Sequence, residues 1–87
     1  MREELVEAVL RVVEEIPAGR VATYGMIARA VGTGPRVVGR IMHDWGSGVP
    51  WWRVVNVHGT FPTTVRGEGF FEWEQEGIPH DPTRGRA

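Results

Sequence analysis

The apolar residues of the first sixteen positions fall on one side of a helix. Leu5, Val9, Val12, Val13 and Ile16 are spaced four, three, one and three apart, while Glu7, Arg11, Glu14 and Glu15 lie off that stripe. Pro17-Ala18-Gly19 ends the pattern. Thr23 is suited to cap a short helix over Tyr24–Val31, with Ile27, Ala28 and Val31 facing inward. After Gly32-Thr33-Gly34, Pro35 suits the first turn of a third helix, where its missing N–H would have no partner anyway. Val38, Ile41 and Met42 give that helix an apolar side as far as His43.

Two short helices joined by a glycine-containing turn form a helix-turn-helix, and the second is the candidate recognition helix. Trp45 to Pro50 reads as a loop. Arg53-Val54-Val55-Asn56 predicts a strand, His58-Gly59 a turn, and Thr60-Phe61 a segment pairing back. A last helix is expected over Gly67–Glu76, capped by Gly77. The fold class expected is mostly α with a short β element, on a winged helix-turn-helix plan. One domain should cover residues 1–78, with a disordered tail over residues 79–87.

Composition narrows the chemistry. The 87 residues include no cysteine, which excludes disulfides, thiolate catalysis and sulfur-bound metal. No Ser–His or paired-carboxylate constellation replaces the thiol. His43, His58 and His80 are scattered, so neither a metal nor a cofactor is expected. Apolar runs are too short for a membrane span, and the charged N-terminus is unlike a signal peptide. A cytoplasmic monomer is the expectation, nucleoid-associated if bacterial.

The formal net charge of −1 hides a division. Residues 1–19 and 67–87 are each acidic by three charges, whereas residues 20–66 set six arginines against Asp44 alone. A basic centre between acidic flanks fits a phosphate-facing surface. Within it Arg36, Gly39, Arg40 and His43 share one face of the candidate recognition helix, and the glycine would let its backbone approach a groove closely. A solvated helix with ordinary arginines is the plainer alternative.

Several ordered motifs now coincide. Ile16-Pro17-Ala18-Gly19-Arg20-Val21-Ala22-Thr23-Tyr24-Gly25-Met26-Ile27-Ala28, Pro35-Arg36-Val37-Val38-Gly39, Pro50-Trp51-Trp52-Arg53-Val54-Val55-Asn56 and Glu76-Gly77 together resemble the O6-alkylguanine-DNA alkyltransferases. The likeness covers roughly residues 3–77. In that family a Pro-Cys-His-Arg-Val strand carries the alkyl-accepting cysteine and a histidine that helps deprotonate it. Here Trp51 and Trp52 stand at those two positions, so nucleophile and base are lost together. Tryptophan for cysteine resembles the alkyltransferase-like proteins, non-enzymatic relatives of the C-terminal DNA-binding domain.

That resemblance implies a set of roles. Tyr24 would crowd the phosphate beside a lesion and promote nucleotide rotation. Arg36 would be the finger that fills the stack vacated by a flipped base. Gly39, Arg40 and Arg53 complete the expected DNA-binding set, Arg53 tying the strand either to the recognition helix or to DNA. Trp51, Val54 and Arg66 are expected at the lesion pocket, with the Trp51 indole stacking on the modified purine. The implied partner is double-stranded DNA containing O6-alkylguanine, with nucleotide excision repair proteins following.

The chain also departs from the family. Histidine is usual at residue 52; Trp52 is read instead as core, facing away from Trp51 across a strand. Glu76 matches the glutamate that orients that histidine, so a structural part at a helix end is expected of it. Val37 and Arg40 replace smaller or neutral residues, Trp45 stands where a small hinge asparagine is common, and the loop from Thr60 to Arg66 is shortened. The rival function is a helix-turn-helix regulator reading intact sequence in the major groove.

Overall fold

The N-terminal apolar stripe forms α1, Glu3–Glu15, and buries Val6, Val9 and Val13. Leu5, Leu10, Val12 and Ile16 pack around them, so the buried stripe is centred one residue nearer Val6 than the spacing suggested. In this computed structural model the described residues are 2–60 and 66–79, Arg66 in its backbone only. The tail beyond residue 79 and the proposed pairing of Phe61 lie outside them.

Gly19 turns the chain at a φ of 85°, in the left-handed region that a side chain would make costly. β1, Ala22–Thr23, leads straight into α2, Tyr24–Val31. The Thr23 hydroxyl accepts from the Met26 N–H at 3.1 Å, the capping bond its position predicted. α3, Pro35–Trp45, begins on its proline and buries Val38 and Ile41 against α1 and α2. The helix-turn-helix is therefore α2 and α3, with α1 closing its apolar side.

The β element is shorter than the expected strand over Arg53–Asn56. Trp51–Arg53 forms a single 3-10 turn, and only Val54–Val55 is extended, as β2. It pairs in parallel with β1, in the register Ala22↔Val54 and Thr23↔Val55. Local propensity favoured strand from Arg53 onward, but the three residues before Val54 are needed to turn the chain. Asn56 ends the strand: its side-chain oxygen accepts from the His58 and Thr60 N–H groups, and its own N–H donates to the Thr60 carbonyl. Those bonds close a compact turn of the kind asparagine favours.

α4, Arg66–Glu76, closes a second apolar cluster. Fully buried Trp73 packs with Val55 and Ile78, flanked by Val21, Trp51, Trp52 and Phe70. Its indole N–H donates to the Trp52 carbonyl at 2.6 Å, so the largest buried side chain also pins the Trp51–Arg53 turn. Among the described residues the architecture is mostly α with one two-stranded parallel ladder, on the winged helix-turn-helix plan.

Candidate nucleic-acid interface

α3 presents Arg36, Arg40 and His43 to solvent on one face, with Gly39 between them. Arg36 sits in the first turn and has no hydrogen bond or ion pair among the described residues. A Cβ built on Gly39 would meet nothing within 4 Å. No internal packing therefore requires glycine there. Arg40 is engaged by its own helix: its Nε donates to Asp44 Oδ2 at 3.1 Å, and His43 Nδ1 lies 3.0 Å from Asp44 Oδ1. These contacts, from His43 first and then Arg40, hold the Asp44 carboxyl below its usual range.

Tyr24 opens α2 and packs partly against the main core. Desolvation by that packing raises its phenol pKa.

Trp51 and Trp52 do not alternate across a strand. Both lie in the 3-10 turn, their rings edge to face at a centroid separation of 5.8 Å and an angle of 80°. Together with Gly67, Glu68, Phe71 and Glu72 they line an open concavity of about 460 Å³ between that turn and α4. Phe71 on its rim is 60% exposed. Trp51 thus has one side on the second apolar cluster and borders an open recess on the other.

Two expected site residues are placed elsewhere. Val54 is 1% exposed and lies in the main core, because β2 turns it inward beneath the helix-turn-helix. It supports the turn carrying Trp51 and offers no surface to a ligand. Arg53 points neither to α3 nor outward. Its Nε donates to both Glu76 oxygens at 2.9 and 3.1 Å, its second terminal nitrogen to Oε2 at 2.6 Å, and the first to the Ile16 carbonyl at 2.9 Å. The side chains of this pair are only 16% and 11% exposed, so Arg53 is a buried tie between α1, the 3-10 turn and α4. Arg66 begins α4, and its side chain lies outside the described residues.

Glu76 is a hub that the sequence only hinted at as structural. Besides Arg53 it accepts from the Trp52 indole N–H at 2.8 Å and from the Gly19 backbone N–H at 3.0 Å. A Cβ on Gly19 would come within 3.2 Å of the Glu76 carbonyl, a second reason for glycine at that turn. Arg53 foremost, then the Gly19 and Trp52 donors, hold the Glu76 carboxyl down at about 2. Trp52 is therefore half-buried, with its N–H on Glu76 and the Arg53 guanidinium carbon 5.8 Å from its ring centroid. The Trp52 indole N–H is thus one of the donors that hold the Glu76 carboxylate in place.

Residues 4–76 match the family described as 6-O-methylguanine DNA methyltransferase, DNA binding domain. The chain belongs to that family. Its relatives include the DNA base-flipping protein of Escherichia coli, 42% identical over 62 residues, and alkyltransferase-like protein 1 of Schizosaccharomyces pombe, 45% identical over 62 residues. Each match takes in 67% of this chain but only 48% and 57% of those relatives, so the matched segment spans about half their length. The fold is also similar to the crystal structure of S. pombe Atl1 in complex with damaged DNA containing O6-carboxymethylguanine. That likeness has a TM-score of 0.82 at 34% identity, covering 99% of this chain and 88% of the other. A second S. pombe ATL–DNA complex gives 0.78 at 36% identity, covering 91% and 81%. The 3-10 turn, the parallel ladder and α3 all lie within the segment that matches this family. Among the described residues, no helix is long and apolar enough to cross a membrane.

Proposed function

We propose that this chain binds duplex DNA containing O6-alkylguanine, turns the altered base out of the helix, and holds it without accepting the alkyl group. The observation that carries this reading is Trp51: the acceptor position of the family motif holds an indole beside an open recess, in a chain without cysteine. An indole offers no soft nucleophile. It does offer a flat apolar face, and stacking on a base contributes about 1–3 kcal/mol, which helps offset extrusion.

The other parts follow from the exposed face. α3 lies in the minor groove with Gly39 against the backbone, Tyr24 crowds the adjoining phosphate, and Arg36 enters the vacated stack. A solved complex of S. pombe Atl1 with damaged DNA containing O6-carboxymethylguanine, at 34% identity across almost the whole chain, supports binding to DNA of that kind. With no transfer step the complex persists and marks the site for nucleotide excision repair.

The test is a titration, read by tryptophan fluorescence, of two duplexes that differ only in one O6-methylguanine. Tighter binding to the lesion, with no added mass on the protein afterwards, is expected. Equal affinity removes lesion recognition, and a dependence on surrounding base sequence instead supports a sequence-reading regulator. A stable alkyl adduct removes the claim that no transfer occurs.

A further inference from the structure

α3 carries an acid where helix chemistry disfavours one. Asp44 is the penultimate residue of Pro35–Trp45, in the turn where the negative end of the helix dipole opposes a carboxylate. Aspartate is also a weak helix former. The i,i+4 pair runs with the cation first, the less favourable order. Exposed as it is, the pair adds little to helix stability. What Asp44 does is engage this face: one oxygen accepts from the Arg40 guanidinium and the other lies 3.0 Å from His43 Nδ1.

Arg36 is outside its reach. Eight residues of helix separate them, about 12 Å along the axis, beyond the screening length of about 8 Å at physiological salt. The unneutralised charge of the recognition face is therefore concentrated at its N-terminal end.

We propose that Asp44 is a brake on phosphate attraction, holding Arg40 so that α3 meets ordinary DNA with one cation fewer. This rests on the DNA-binding reading above and adds a division of labour to it. Phosphate contacts are common to damaged and intact duplexes and carry no information about the lesion. Intact sites vastly outnumber lesions, so a weaker shared grip shortens the time spent on them. Arg36 then governs preference, and Asp44 governs grip.

The full chain bearing Asp44→Asn tests this on the same two duplexes across a series of salt concentrations. The expected result is binding about 3- to 10-fold tighter to both, with the salt slope steeper by about one. The ratio between the duplexes should hold. Adding Arg40→Gln should cancel the gain, and circular dichroism should show the fold unchanged in either variant. An unchanged salt slope, a gain that survives Arg40→Gln, or a gain confined to one duplex overturns the brake. Wild-type chain that binds both duplexes equally well overturns lesion recognition and leaves the brake standing.

Discussion

Arg36 and Arg53 come from the same basic stretch, yet the fold treats them oppositely. Arg53 is enclosed by Glu76, the Ile16 carbonyl and the Trp52 ring, while Arg36 projects from α3 with no partner among the described residues. Around Arg53, donors and acceptors from three elements answer one another, and each residue is explained by its neighbours. Around Arg36 and Gly39 nothing inside the molecule explains the residue chosen. Their roles are therefore tested through binding, whereas that of Arg53 is tested through stability.

That contrast can be broken most severely at the junction. Glu76→Gln leaves the Arg53 charge nearly buried and unpaired, and should lower unfolding free energy by about 3 kcal/mol in chemical denaturation. A loss below about 1 kcal/mol would show that the junction is not a stabilising hub. Acid should reach the same group. The carboxyl is depressed from 4.5 to about 2, so its contribution is complete above the unfolded value and fades as pH falls toward 2. The shift corresponds to on the order of 3 kcal/mol, in line with the expected mutational loss. Melts between pH 5 and 2 should therefore fall more steeply in wild type than in Glu76→Gln.

Smaller changes sharpen the comparison. Trp52→Phe removes one donor from Glu76 but leaves the arginine, for a loss of about 1 kcal/mol. Gly39→Ala meets no internal atom and should stabilise the helix by roughly 0.5–1 kcal/mol, while weakening DNA binding. Stability and affinity moving in opposite directions would identify Gly39 as an interface residue. Arg36→Ala should leave the melting transition within about 0.5 kcal/mol of wild type. Its effect should appear only as a loss of discrimination between alkylated and normal duplex, and retained discrimination would remove the finger assignment.

The helices were legible because their signals are local. A stripe from Leu5 to Ile16, a threonine before Tyr24 and a proline at residue 35 each act within a turn or two of themselves, and α1, α2 and α3 follow them. What was missed depends on contacts between distant residues. Val54 is β-branched and apolar, as suitable for a pocket wall as for a core. Only its pairing with Ala22, thirty-two positions earlier, turns it inward. Arg53 meets Glu76 across 23 positions, and no pattern in the chain distinguishes that partner from other glutamates. The same limit hid the 3-10 turn, which is held by the Trp73 indole and by the chain path on either side.

Thr23 caps α2 with its hydroxyl while its backbone forms the last rung opposite Val55. Tyr24 follows directly on one side, and the Trp51–Arg53 turn enters the ladder on the other. The phenol and the indole are thereby mounted on opposite arms of one short, stiff coupling. A single residue inserted between Arg53 and Val54 would leave α2 seated yet swing the indole arm round, uncoupling the phenol proposed to turn a nucleotide from the indole proposed to receive it.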